Sequence, residues 1–164
     1  MTSFMLNRIV CGAPLNGGHL ILGTLRGTTK IPLTEVFDRS TTVALYLKEL
    51  GLGPGDTIGI LAGNCLEWVL LDLAAIRLQI RTAGFDPGKF RIDEDLTSRY
   101  NLKFLFTDKS VDDPDARVIA LSSLPTELHK QAVGLETPVY APSDTTTVKF
   151  TSGSTGNPKG LAAT

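Results

Sequence analysis

The 164-residue chain predicts an α/β fold, a largely parallel sheet flanked by helices. Short β-rich runs alternate with helix-period segments along residues 31–151, the pattern of strands joined through helices. The segment Leu66 to Leu78 is apolar nearly all round, as a helix buried between a sheet and a second layer would be. Right-handed crossovers then place helices on both faces. The length suits one compact domain, and 42% hydrophobic with 20% charged residues is ordinary globular composition.

In chain order, residues 9 to 25 mix apolar runs with Asn16-Gly17-Gly18 and read as a hairpin or loose arm turning near Asn16-Gly17. Ile31-Pro32-Leu33-Thr34 opens a helix that Thr34 can cap; Val36, Val43, Leu47 and Leu50 recur at helical spacing until Gly51 and Gly53 end it. Thr57 to Leu61 is a small-residue strand, and Asn64 with Glu67 three residues on reads as a capping box for the next helix. Ile80 to Phe85 is a strand weakened by Arg81 and Gly84, followed by a turn at Asp86-Pro87-Gly88 and a short helix from Asp93 to Tyr100. "LKFLFTD" is the clearest strand, "ARVIALS" another, Pro125 to Val133 a helix, and "TVKF" the last strand. No internal repeat or low-complexity tract interrupts this order.

Charge argues against several function classes. Sixteen basic and 17 acidic residues give a net charge of −1, with no basic stripe to attract nucleic acid or an anionic membrane. Cys11 and Cys65 form no C-x-x-C and read as buried reduced thiols, while His19 and His129 lack metal-like spacing. No metal site and no nucleic-acid partner is expected. The N-terminus does not read as a signal peptide, and Trp68 to Leu78 is too short to span a bilayer, so a cytoplasmic chain without a membrane span is expected.

The chemistry concentrates in "TVKFTSGSTGNPKG", residues 147–160. Thr151, Ser152, Ser154 and Thr155 bring four hydroxyls, and Gly153 and Gly156 let backbone N–H groups turn inward. Lys159 adds a point charge suited to a phosphate oxygen. Every group donates and none is acidic, which fits a polyphosphate. A Walker A loop is excluded, because Asn157-Pro158 separates Gly156 from Lys159 and Gly160 follows where Ser or Thr is required. Pro158 and the uncapped "GLAAT" predict a turn between two strands, not the start of a helix.

The run "FTSGSTGNPKG" resembles the phosphate-binding motif of the adenylate-forming enzymes: acyl- and aryl-CoA synthetases, nonribosomal-peptide adenylation domains and luciferase-like proteins. Upstream, "PLTEVFDRS", "LGLGPGDTIGILAGNCLEW" and "NLKFLFTD" are similar to family segments in order and spacing, and Asp144 sits where the family often has an acid. One stretch departs: "AAIRLQIRTAGFDP" has Gln79 for a usual glycine and Gly84 for a usual proline.

The resemblance implies ATP with Mg²⁺, a carboxylic acid activated as an acyl-adenylate with pyrophosphate release, and transfer to a thiol of CoA or a carrier protein. It assigns Thr151, Ser152, Gly153, Ser154, Thr155, Gly156 and Lys159 to the ATP phosphates. It places the catalytic and magnesium-binding residues beyond Thr164, so none is assigned here. Residues 1–30 then form an arm or hairpin, and 31–164 the first subdomain of the family's large N-terminal domain, ending just after the phosphate loop. Two readings stand: an N-terminal portion of a carboxylate-activating enzyme, inactive by itself, and a non-catalytic binding module that kept the fold. The apolar Leu66–Leu78 helix is expected to leave a face exposed for the rest of the enzyme or for self-association.

Overall fold

The computed structural model describes residues 5–11, 17–24, 27–92, 94–111, 116–128, 135–151 and 159–163. Among these residues four helices, α1 (Met5–Val10), α2 (Leu33–Glu49), α3 (Leu66–Arg77) and α4 (Glu94–Arg99), accompany eight strands. β1 (His19–Thr24) and β2 (Gly27–Pro32) form a separate antiparallel hairpin. β3 (Thr57–Leu61), β4 (Arg81–Phe85), β5 (Phe104–Thr107), β6 (Val118–Ala120), β7 (Thr147–Thr151) and β8 (Lys159–Ala163) build a six-stranded sheet in the order β6-β5-β3-β4-β7-β8. All its pairings are parallel except β7 with β8. The predicted α/β class with a mostly parallel, helix-flanked sheet holds.

Strand periodicity divides the apolar residues between two cores. Ile58 and Ile60 of β3 and Phe106 of β5 face α2 and α3, joined by Val43, Leu47, Leu70, Leu71 and Ala74. Leu61, Ala83, Phe85, Leu105 and Val118 face the other way, toward Leu96 of α4. The β3–α3–β4 crossover and the return through α4 to β5 therefore lie on opposite faces, as right-handed connections require.

Helices α2, α3 and α4 stop in the same way. The N–H of Leu52, Ile80 and Leu102 reaches back to the carbonyl of Leu47, Ala75 and Thr97, at 3.0, 2.9 and 2.8 Å. The residue before each takes a left-handed backbone: Gly51 at φ +78°, Gln79 at +55° and Asn101 at +51°. This six-to-one closure satisfies the last carbonyls of each helix.

Several local expectations change. The hairpin lies between β1 and β2, so its tip falls at residues 25–26, outside those described, and not at Asn16-Gly17; Gly17 has φ +81° in a separate turn. Pro32 occupies the N-cap of α2, leaving Thr34 inside the helix and no side-chain cap bond. Cys65, with extended backbone, is the N-cap of α3, and the Asn64–Glu67 capping box is not made. Leu121–Ser123 is one 3₁₀ turn, residues 124–128 are not helical, and the remainder of the predicted 125–133 helix lies outside the described residues.

The apolar surplus of α3 is largely covered. Helix α2 packs along it and α1 meets it. Leu66, Trp68, Val69 and Leu73 are half-buried, and among the described residues none of the exposed large hydrophobic ones (Ile21, Leu128, Val139, Leu161) belongs to it. Cys11 and Cys65 are unpaired as expected, but Cys11 is exposed and Cys65 only half-buried. No helix among the described residues is long and apolar enough to cross a membrane.

Candidate functional site

Thr151 and Lys159 form the last rung of the antiparallel β7–β8 ladder, which runs from Thr147 opposite Ala163 to this pair. The predicted loop therefore joins two antiparallel strands of one sheet, and Lys159 opens a strand instead of a helix. Ser152, Gly153, Ser154, Thr155 and Gly156 lie outside the described residues, so the backbone fixes where their loop starts and returns. It emerges at the C-terminal end of β7, on the sheet edge where parallel α/β proteins bind ligands.

The two strands are held from beneath by aromatic rings. Phe150, the residue before Thr151, stacks on Phe85 of β4 with ring centroids 4.8 Å apart and meets Tyr100 edge-on at 4.8 Å. Phe90 closes the group, 5.0 Å from Phe85 and 5.7 Å from Phe150. Aromatic pairs in these geometries contribute about 0.5–1.5 kcal/mol beyond their burial. This cluster fixes the strand that carries the loop.

Gly160 sits directly across from Phe150. A Cβ there would lie 3.0 Å from Val148 Cγ1 and 3.3 Å from the Phe150 ring. The final glycine of the motif thus leaves room for the ring that anchors the loop. Sequence reading used Gly160 only to exclude a Walker A loop and passed over the grouping of the four rings. These come from β4, the stretch between β4 and α4, the residue after α4 and β7, and so share no local pattern.

The neighbouring strand ends are pinned by side chains. Thr107 Oγ1 donates to the Leu61 carbonyl at 2.9 Å, and the Gly63 N–H donates to Asp108 Oδ2 at 2.9 Å. Asp144, by contrast, closes its own turn: its Oδ2 accepts from the Ala141 N–H at 2.8 Å, before β7 begins.

On the α3 face of β4 and β7 the sheet turns polar. Thr82 Oγ1 donates to Asp72 Oδ1 at 2.7 Å and lies 3.4 Å from Thr147 Oγ1. Burial pushes the Asp72 carboxyl above its usual range; the Thr82 bond and the more distant Lys149 charge oppose this without cancelling it. Gly84 leaves space here, since Trp68 of α3 comes within 3.3 Å of where its Cβ would be. Among the described residues, no three His, Cys, Asp or Glu side chains gather to hold a metal ion.

A family model described as "AMP-binding enzyme" matches residues 22–164. The chain belongs to the AMP-binding enzyme family.

Relatives lie on both sides of that family. This AMP-binding chain is 27% identical, over 82% of its length, to nonribosomal peptide synthetase dtxS1 of Metarhizium robertsii, and spans 2% of that protein. It is 27% identical, over 89% of its length, to fatty acyl-CoA synthetase A of Dictyostelium discoideum, and spans 26% of it. In fold it matches the Klebsiella oxytoca NpsA N-terminal subdomain with a TM-score of 0.74 at 21% identity, covering 95% of this chain and 41% of that one.

Proposed function

We propose that this chain supplies the ATP-phosphate-binding part of an enzyme that joins a carboxylic acid to AMP, releases pyrophosphate, and passes the acyl group to a thiol of CoA or a carrier protein. The observation that carries the reading is the position of T-S-G-S-T-G-N-P-K-G between β7 and β8, at the C-terminal end of a parallel sheet in an AMP-binding chain. In this reading Thr151, Ser152, Gly153, Ser154, Thr155, Gly156 and Lys159 hold the β- and γ-phosphates. Their donors are placed before reaction where the departing pyrophosphate gathers charge, the arrangement that lowers a barrier most. Gly160 and Phe150 set the strand pair that presents them.

Mg²⁺ would neutralise part of that charge when bound, but the described residues do not fit a magnesium site. Its ligands, and the pocket for the carboxylic acid, come from outside these elements in this reading.

Carboxylate-dependent exchange of pyrophosphate into ATP tests the proposal. With these residues joined to an acid-binding part, Lys159→Ala is expected to lower exchange on the order of a hundredfold, the usual loss of one preorganised donor. Lys159→Arg is expected to restore it only in part, because a planar fork does not replace a compact ammonium. The 164-residue chain by itself is expected to give no exchange, since without a positioned carboxylate roughly 7–11 kcal/mol of alignment is lost. Exchange unaffected by Lys159→Ala would remove the loop from the reaction.

A further inference from the structure

A cavity of about 570 Å³ lies between the β1 strand of the hairpin and the first turns of α3. Leu20, Leu22, Val69 and the Trp68 indole give it apolar walls; Asn64 marks one end and Asp72 the other. The volume suits one small organic molecule.

Asp72 is the unusual member of this lining. Its Oδ1 is taken by Thr82, while no donor among the described residues reaches Oδ2, which is also not a sealed-off buried atom. No Lys, Arg or His among the described residues pairs with the carboxylate within ion-pair distance. Lys149 on β7 is exposed and acts on it only from farther away. The carboxyl is held above its usual range by that burial, so its negative charge is poorly compensated. A half-buried carboxylate with one free oxygen, beside an indole face and aliphatic walls, has the chemistry that recognises an ammonium group on an apolar body.

We propose that this cavity binds a small organic ammonium compound, its cationic head on Asp72 Oδ2 and its apolar part between Trp68, Leu20 and Leu22. The site stands apart from the adenylation reading and survives or fails independently of it.

Trp68 is the sole tryptophan in the chain, so its fluorescence reports this cavity alone. Phenethylammonium is the probe, with the indole excited at wavelengths longer than the phenyl absorption; 2-phenylethanol and 3-phenylpropionate match its shape without the positive charge. Saturable binding of phenethylammonium to the 164-residue chain is expected, at least about tenfold tighter than 2-phenylethanol, the difference a charge-assisted hydrogen bond supplies. Asp72→Asn keeps an acceptor for Thr82 and is expected to bring the ammonium compound down to the affinity of the alcohol. Equal affinity for amine and alcohol, tighter binding of the propionate, a response linear in concentration, or a preference that persists in Asp72→Asn would each overturn the site. Should Asp72→Asn fail to fold, the ranking of the three probes on the unaltered chain decides the matter.

Discussion

Gln79 occupies a backbone conformation, φ +55°, that costs an L-residue about 1–2 kcal/mol and a glycine almost nothing. Its N–H donates to the Ile76 carbonyl at 3.2 Å, and its own carbonyl accepts from Gly55 at 3.0 Å, so the strained geometry is fixed on both sides. The side chain adds little, reaching the Val139 carbonyl only at 3.5 Å. Gln79→Gly is therefore expected to stabilise the fold, by about 0.5–1 kcal/mol once the extra freedom of glycine in the unfolded chain is counted. Urea unfolding of the two proteins measures it, and no gain in midpoint would show that the corner is not strained. At this position, read in the sequence as a departure from the family pattern, glutamine holds a corner that glycine would hold at lower cost. Gly84, the second departure, opens the room that Trp68 fills.

At the scale of elements, the β7–β8 pair depends on how closely two backbones and one ring approach. Gly160→Val would drive branched carbons into Val148 and the Phe150 ring, separating the ladder or turning Phe150 out of its stack on Phe85. The expected result is a loss of about 1–3 kcal/mol, the usual range for overpacking. ATP affinity should fall with it, while Gly88→Val, at an exposed turn, leaves affinity unchanged. Circular dichroism melts and ATP titrations of the two variants check this. Elements with their own periodicity were legible beforehand: β3 was read at Thr57–Leu61, and α3 within a residue of its end. Cap signals were misread because Cys65 and Pro32 adopt the boundary geometry that Asn64 and Thr34 were chemically suited to hold. β2 was missed because four of its six residues are exposed and polar or glycine, which leaves no alternating pattern to see. In the candidate site the hydroxyls and glycines of the loop could be read from composition. The Phe85–Phe150 stack and the setting of Asp72 could not, since they arise only when β4 and β7 lie side by side.

For the molecule as a whole, Tyr140 ties the segment leading into β7 to two helices. Its hydroxyl donates to the Ile76 carbonyl of α3, and the Asn7 side chain of α1 brackets its backbone, donating to the carbonyl at 3.1 Å and accepting from the N–H at 2.7 Å. Burial, aided by the Asp144 charge, pushes the phenol up to about 12 from an ordinary 10.0. The folded chain therefore keeps this proton at pH values where the unfolded chain has released it. The stabilisation is complete below pH 10 and is lost as pH rises through about 12. Tyr140→Phe is expected to cost about 1 kcal/mol at neutral pH, one buried hydrogen bond. The gap between the two proteins should narrow across that alkaline window, which urea unfolding at successive pH values would trace; a gap independent of pH would rule out the phenol as its source.

The position of β7 in the sheet also bears on the order in which the fold assembles. Thr82 and Thr147, which sit opposite each other where β4 meets β7, are 65 residues apart in the chain. β3 and β4 are joined through one helix, so their pairing closes a far shorter loop and carries a smaller entropic cost. Topology thus sets β7 to dock on an edge that β3, α3 and β4 have already made. The strand that carries the loop is expected to dock late, held by one parallel neighbour, β4, and one antiparallel partner, β8. Nucleotide bound across that hairpin would act as a latch on the last-formed part of the sheet, and emptying the loop would return that part to the first motions of unfolding.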